Sequence, residues 1–564
     1  MPRSGYLRHL PPVLWEDAPG EPELSLDSML LVFEKVLTGV ADRVPIVHER
    51  HTRAGDETHP HRPIAEQIAR LDRLYDPWAA PPEFLPWLAS WVSLRFPELQ
   101  GRQLWDEYQR RKAIAGISRI HQDRGLRAGL NGILDLHSVG KVRPRAAVDD
   151  GSSLFTTRLA EGAPAPVHAL PTFRPLLEGL TGDTPAAVTR EGLLRPCCVA
   201  HGSDGSLFVG DRGLPEEVSL PHRRRVWRLD TTGQPDLAGS PPVPRPLIPD
   251  QTLGPVVAVA VRPALTGMPE TLFVLDRGGT VLSVPDLDAA SATEVARLSS
   301  SGPVFPLAMA VDHAGDLLVL DRGLMPGEEP TPRVFIVRPQ SAEEPEVKEL
   351  DATAVREPLS LFVDHDDTLV VGDGGDQQAE ARGAGGGNLV RIVRGAPDWT
   401  HTPLLPPDNG LVAPTATVRT RPDGLYVLDA GLRPFWPEST GDPFILFDAV
   451  PACVHRVTGA PGPTAAVVRV TEPGQFVSPT GMTAAGRHVV VCDPGQNSRN
   501  DTLDDYRARL APYEINVAVH FCAEDLSQDP EQRRREVTGA LGDIRSIVAR
   551  YKPGHCRFSA VTTF

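Results

Sequence analysis

The sequence predicts a multidomain fold. An α-helical N-terminal head comes first, then a six-bladed β-propeller, and then a C-terminal α+β segment. Three observations carry this reading. Six segments between about 190 and 500 repeat one pattern: a Pro, alternating apolar residues, a turn, a short apolar run, and Asp-x-Gly. Before residue 140 the apolar residues recur instead at helical spacing. After residue 500 an alternating run, a helical stretch and a second alternating run succeed one another. Periods of 2 and 3.6 residues mark strands and helices, and a strand unit repeated at this interval marks propeller blades. The boundaries drawn are 1–140 for the head, 141–189 for two strands and a Pro-rich connection, 190–500 for the propeller, and 501–564 for the C-terminal segment.

A chain of 564 residues is too long for one core. Its 41 % hydrophobic and 23 % charged residues are ordinary for a globular protein, but 50 Gly and 58 Pro are not. Together they make up about 19 % of the chain against a usual ~12 %, and they punctuate short apolar runs, which favours turns over disorder. The formal charge of −16 argues against binding nucleic acid through its phosphates, which needs clustered Lys and Arg. No apolar run approaches the ~18 residues of a membrane span, so no membrane insertion is expected. MPRSGYLRHLPPVLWED lacks the apolar core of a secretory signal, so synthesis and first folding are expected in a bacterial cytoplasm. The six Cys include no C-x-x-C pair, and Cys197-Cys198 are too close in sequence for an easy disulfide, so buried free thiols are expected.

In the head, residues 25–40 read as an amphipathic helix opened by Leu26 or Ser28, with Met29, Leu30, Phe33, Leu37 and Val40 at helical spacing. His48, His51, His59 and His61 follow, but their spacing matches no metal-ligand pattern, and a solvated loop is expected. Pro63 opens a helix with Ile64, Ile68, Leu71, Leu74 and Tyr75 on one face. The stretch 71–92, LDRLYDPWAAPPEFLPWLASWV, then breaks at Asp76-Pro77 and at Pro81-Pro82. It restarts as a short apolar helix, because Pro cannot sit inside a helix but suits its first turn. Further helices are expected at 101–120 and 124–136, where Gly129 and Gly132 allow close backbone approach. Five of the eight Trp lie in the first 105 residues: Trp15, Trp78, Trp87, Trp91 and Trp105. So small a head cannot easily hide that much aromatic surface, so part of it is expected to be an interface.

The propeller triplets are Asp211-Arg-Gly213, Asp276-Arg-Gly278, Asp321-Arg-Gly323, Asp373-Gly-Gly375, Asp429-Ala-Gly431 and Asp493-Pro-Gly495. The leading prolines are Pro196, Pro255, Pro306, Pro358, Pro414 and Pro479. Pro to Asp spans 15 residues in four copies, 14 in the last, and 21 in the second, where 264–270 reads as an insertion. Copy intervals of 65, 45, 52, 56 and 64 residues imply enlarged loops. An Asp after a strand is expected to bond the N–H groups of the next turn, with Gly at the residue of positive φ. One site would not need an Asp in every blade, so a structural role is favoured over metal binding or catalysis. Asp364-His365-Asp366-Asp367 fills a turn of its repeat and reads as a solvated hairpin. The repeat resembles the NHL class of propellers.

Strands are expected at 141–147 and 153–157, before a Pro-rich connection. On the far side 497–510 reads as a linker, 513–521 as a strand, 529–551 as a helix and 557–561 as a last strand.

Several residues in order resemble the phage tail protein I-like family. They are Tyr6, Leu7, Pro11, Pro12, Leu14 and Trp15; Phe33, Glu34, Leu37, Thr38 and Gly39; the 71–92 block; and Arg124-Gly125-Leu126-Arg127-Ala128-Gly129-Leu130. The turn Lys552-Pro553-Gly554-His555 is similar to the C-terminal end of the same family, so the resemblance brackets the propeller. It implies that the propeller is an insertion and that residues of about 140–160, with both upstream strands, and about 510–564 form one small α+β domain. It implies a non-enzymatic baseplate wedge component of a contractile tail or injection system, with no cofactor. The implied partners are the larger baseplate J-like wedge protein, neighbouring wedges, and spike or hub and sheath proteins. The expected assembly surface is Trp15, Phe33, Leu74, Tyr75, Phe84, Trp87, Trp91 and Trp105. Two rival readings stay open: a propeller that binds a glycan, fibre or other surface ligand, and a propeller hydrolase or lactonase.

Overall fold

The computed structural model describes residues 4–14, 25–38, 46–47, 60–61, 64–69, 71–96, 98–99, 102–103, 105–137, 145–151, 153–159, 165–170, 176–178, 187–190, 192–213, 224–230, 244–248, 253–265, 267–288, 291–323, 331–341, 344–375, 386–395, 398–407, 409–420, 424–431, 450, 452–459, 465–472, 475–495, 514–521, 526–527 and 529–562. The chain divides into two compact units, Met1–Ser118 and Arg119–Phe564.

In the first unit the N-terminal turn Gly5–His9 is fastened to helix α1, Leu26–Thr38. Ser4 N–H donates to Asp27 at 2.7 Å, and the Ser4 hydroxyl and Gly5 N–H both donate to Glu34 at 2.7 Å. Ser25, rather than Leu26 or Ser28, caps α1, its hydroxyl accepting from Ser28 N–H at 3.1 Å. Helix α2 is Ile64–Ala69, and a 3-10 turn at Leu71–Leu74 follows. Pro82–Phe84 is another 3-10 turn and runs directly into α3, Leu85–Trp91, with Pro86 in its first turn. Helix α4, Glu107–Gln122, starts later than the composition suggested. Of the four clustered histidines, His48, His51 and His59 lie outside the described residues.

The boundary at Ser118 corrects the one drawn at 140. Helix α5, Arg127–His137, belongs to the second unit because it packs on the strand Arg145–Asp149 and on α6, Pro530–Tyr551. The bend before α5 takes Gly125 to φ +85°. A Cβ at Gly129 would come within 2.2 Å of the Asp123 carbonyl oxygen, so only Gly lets α5 start there. Asn131, buried on α5, accepts from Val148 N–H at 2.8 Å. The strand Glu514–His520 lies at the centre of a three-stranded sheet, parallel to Arg557–Thr562 and antiparallel to Arg145–Asp149. Asp529 caps α6, which buries Val537, Ile544 and Val548.

The rest of the second unit is a β-propeller. Six four-stranded antiparallel sheets occur among the described residues. The first comprises Pro196–His201, Leu207–Asp211, Arg225–Leu229 and Pro244–Pro246, and the next four begin at Val256, Pro306, Pro358 and Pro414. First strands of successive sheets lie side by side, and that of the sixth sheet meets that of the first. An apolar cluster fills each gap between neighbours: Phe208 with Val274, Phe273 with Phe335, Val334 with Leu369, Leu389 with Leu425, Phe155 with Val454, and Leu207 with Val490. Second strands such as Leu207–Asp211 and Leu317–Asp321 are buried on both faces, hence their unbroken apolar runs.

The sixth sheet corrects the division at 190. It consists of Gly481–Ala485, His488–Cys492, Leu154–Arg158 and His168–Ala169, with Val491 opposite Phe155 and His488 opposite Arg158. The strand Leu154–Arg158 thus leaves the α+β domain to which it is assigned and pairs with His488–Cys492, the one second strand that no third strand follows among the described residues.

Candidate functional site

Two regions carry the residues singled out from sequence. The first is the elbow in the first unit. Asp76 organises its bend: its carboxylate accepts from Trp78 N–H at 2.9 Å, and its carbonyl accepts from Ala79 and Ala80 N–H. Arg111 of α4 holds the bend from the other side, donating to the carbonyls of Pro77 at 2.6 Å and Ala80 at 2.8 Å, and is itself oriented by Glu107 at 2.7 Å. Nothing in the sequence pattern marked Arg111.

Helix α3 has two faces. Leu85, Leu88 and Ala89 point inward, at i, i+3 and i+4, and are buried. Trp87 and Trp91 point outward, 40 % and 61 % exposed. Their rings lie 4.7 Å apart, and Tyr75 packs on them at 6.0 and 5.8 Å. Phe84 meets Trp87 edge-on at 6.0 Å, and Trp78 meets exposed Tyr108 at 5.6 Å. The result is a stacked aromatic face open to solvent. Phe33, 50 % exposed on α1, is also outward, while Leu74 is half-buried. Trp105 is 3 % exposed and packs beside Phe96 with ring centres 5.8 Å apart, so it is a core residue and leaves the expected surface. Trp15 lies outside the described residues.

The second region is the set of Asp-x-Gly turns. Each aspartate is buried, and its carboxylate joins two segments. Asp429 accepts from Val412 and Ala413 N–H at 2.9 and 2.8 Å and from Gly431 N–H at 2.9 Å. Asp211 does the same with Leu194, Arg195 and Gly213, adding Trp227 Nε1 at 3.3 Å. Asp493 accepts from Val477, Ser478 and Gly495, Asp321 from Phe305 and Gly323, and Asp373 from Arg356 and Glu357. The turn bond was expected. The bonds to the residues just before the first strand were not, although the constant Pro-to-Asp spacing encodes them, since Pro196 lies directly opposite Asp211 and Pro306 opposite Asp321.

Gly213, Gly323, Gly375, Gly431 and Gly495 take φ between +71° and +88°. The second turn differs: Asp276 accepts from Gly254 and Thr280 N–H, and the positive φ falls on Gly279, at +80°, instead of Gly278. With Thr280 opening the next strand directly, the hairpin is shorter and its left-handed residue moves one place on. Burial raises the carboxyl pKa of Asp211, Asp321 and Asp493, and takes that of Asp373 to about 6 even though its N–H donors favour the charged form.

Ion pairs between sheets were not legible. Arg322 and Glu357, both buried, join the third sheet to the fourth with contacts of 2.9 and 3.2 Å. The 364–367 turn is more than a solvated hairpin. Asp364 is buried against Arg419 of the fifth sheet, and Asp367 reaches Arg394 at 2.7 Å, which also holds Asp312 of the third sheet at 2.8 Å. Hydrogen bonds to Thr368, together with Arg391, hold Asp366 at about 2. Arg127 of α5 ties the helices to the propeller. It donates to the carbonyls of Val148 at 2.8 Å and Gln475 at 2.7 Å, and lies 4.3 Å over the ring of Phe155. Among the described residues no three His, Cys, Asp or Glu are placed to share a metal ion, and no helix is long and apolar enough to cross a membrane.

Residues 53–149 match the family described as Phage tail protein (Tail_P2_I). That segment contains the elbow, α4 and α5, and ends with the strand Arg145–Asp149. No curated protein matches the chain. Solved structures similar to it include a gluconolactonase from Xanthomonas campestris, at 12 % identity over 60 % of this chain and 97 % of that one, with a TM-score of 0.32. Regucalcin from Agrobacterium tumefaciens, a calcium-binding protein, is 13 % identical over 56 % and 83 %, with a TM-score of 0.34. Virginiamycin B lyase from Staphylococcus aureus is 12 % identical over 53 % and 95 %, with a TM-score of 0.32. Likeness at this level says nothing of chemistry.

Proposed function

We propose that this chain is a structural wedge protein of the baseplate of a contractile phage tail or injection system, and that it works by assembly and not by catalysis. One observation carries the reading: within the segment that matches a phage tail family, α3 turns a stacked aromatic face to solvent while its aliphatic face is buried. Burying a large aromatic side chain contributes about 1.5–3 kcal/mol, and aromatic anchors dominate interfaces. The partner on this reading is the larger J-like wedge protein, whose helices would cover the face. Neighbouring wedges, the hub or spike and the sheath would complete the assembly. The six sheets would be six NHL-like blades, closed by Leu154–Arg158. The propeller turns support a mechanical role, since their carboxylates are already bonded to backbone N–H groups.

Co-expression with a J-like baseplate wedge protein tests the proposal. The two should copurify, and Trp87→Ala with Trp91→Ala should abolish copurification while the propeller stays folded. Purified particles with sheath and tube but without this chain would refute it.

A further inference from the structure

The first sheet carries two adjacent thiols that the assembly role does not use. Five sheets share a bulge at the start of the first strand, where one extra residue opposes the second strand. At that place the other four carry Val257-Ala258, Leu307-Ala308, Leu359-Ser360 and Thr415-Ala416, and the first carries Cys197-Cys198. Neighbours in a regular strand point to opposite faces. Here the bulge breaks the alternation and brings the two sulfurs to 3.8 Å. Cys198 faces Gly210, where any Cβ would come within 2.5 Å of its sulfur, so the strand opposite leaves room for it. Cys197 Sγ also contacts the carbonyls of Gly210 at 3.4 Å and Val256 at 3.2 Å. Cys198 is half-buried.

We propose that Cys197 and Cys198 are a two-electron redox modification site, which a peroxide converts to a disulfide within the bulge. In the first step one thiolate attacks a peroxide oxygen, the O–O bond breaks, and a sulfenic acid and hydroxide form. The second sulfur then displaces hydroxide from the sulfenic sulfur, and the S–S bond forms. The two thiol protons leave with the two hydroxides as water. Each sulfur loses one electron and the O–O bond gains two. Burial opposes ionisation of Cys197, but its contact with Cys198 and the nearby Arg212 and Arg195 outweigh that and lower its thiol below the ordinary value, while burial and the same contact push the Cys198 thiol up. Adjacent Cα atoms are closer than the usual ~4.4–6.8 Å span of a disulfide, so the bond is strained and readily reduced. The site is therefore a reversible one.

The test uses the full chain, treated with hydrogen peroxide, alkylated, and mapped by peptide mass. The expected result is one peptide containing both Cys197 and Cys198 that has lost two hydrogens, carries no alkyl group, and regains both thiols with dithiothreitol. Cys198→Ser should abolish that loss. Alkylation of both sulfurs after treatment would overturn the proposal. So would their over-oxidation to sulfinic or sulfonic acid, or a disulfide from either of them to Cys492. The wild-type map decides the matter even if the variant folds poorly.

Discussion

The propeller turns and the elbow use side chains in opposite ways. In the turns, charged groups that could bind something are buried and bonded to backbone: Asp429 is fully buried and holds three N–H groups. In the elbow, aromatic groups that would normally be core stand in solvent, and the polar groups Asp76 and Arg111 fix the backbone beneath them. A residue type that suggests chemistry does structural work in one region, and a residue type that suggests structure stands in solvent in the other. Partner geometry, more than residue type, separates the two roles.

The most severe way to break this contrast is to remove a turn carboxylate. Asp429→Ala leaves three buried N–H groups without an acceptor, at about 1–3 kcal/mol each. The urea midpoint of the β-sheet circular dichroism signal should fall by the equivalent of roughly 3 kcal/mol or more. Asp366→Ala, at a half-exposed turn paired with Arg391, should cost less than about 1 kcal/mol. Equal losses would mean that the buried carboxylates do not hold the sheets together.

The same turns predict a pH dependence. Asp373 is raised from 3.8 to about 6 by burial, so between those values the folded chain binds a proton that the unfolded chain has lost. Its contribution is full below pH ~4 and declines as pH rises through ~6, by up to about 3 kcal/mol in all. Asp366, lowered to about 2, works in the opposite sense, its contribution lost only as pH falls from ~4 towards 2. Asp373→Asn should remove the decline between pH 4 and 6 from the stability profile. An unchanged profile would show that Asp373 titrates normally.

The turns were largely legible because their information is local and repeated. Asp and Gly lie two apart, and the Pro sits a fixed distance upstream. Closure of the sixth sheet was not, because the strand opposite Val491 is Phe155, far upstream in the chain, and no local period reports such a pairing. The elbow was half legible. Its prolines and aromatics announced a bend and a surplus of rings. Their side of the fold depends on what covers each ring, and sequence spacing could not tell that Trp105 would pack inward beside Phe96 while Trp91 stayed outside. Ion pairs such as Arg322 with Glu357 join separate repeats, and composition gives no hint of which Arg finds which acid.

At the elbow the expected effect falls on binding and not on folding. Trp91→Ala removes an exposed ring, so the thermal midpoint of the free chain should barely move, within about 0.5 kcal/mol. Affinity for the proposed wedge partner should fall by about 2 kcal/mol, roughly thirtyfold, as for an interface anchor. Trp105→Ala should do the reverse, costing about 3–5 kcal/mol of stability as a core deletion. If Trp105→Ala leaves stability unchanged and Trp91→Ala lowers it, the assignment of inside and outside faces is wrong.

A more modest loss tests whether the two kinds of segment act as one body. Arg127 lies in the stretch that matches the tail family, yet it bonds Gln475 before the sixth sheet and covers Phe155 within it. Arg127→Ala loses two hydrogen bonds from a charged donor and one cation–π contact, together about 2 kcal/mol after allowance for partial solvation. Arg127→Lys keeps the charge but cannot span both carbonyls, and should recover less than half. The informative measurement is where the loss appears. If Arg127 clamps α5 to the propeller, hydrogen exchange should quicken together at Val148, beside α5, and around Phe155 in the sixth sheet. Faster exchange at Val148 alone would mean that the propeller is seated by other contacts, and that Arg127 serves only the helix on which it lies.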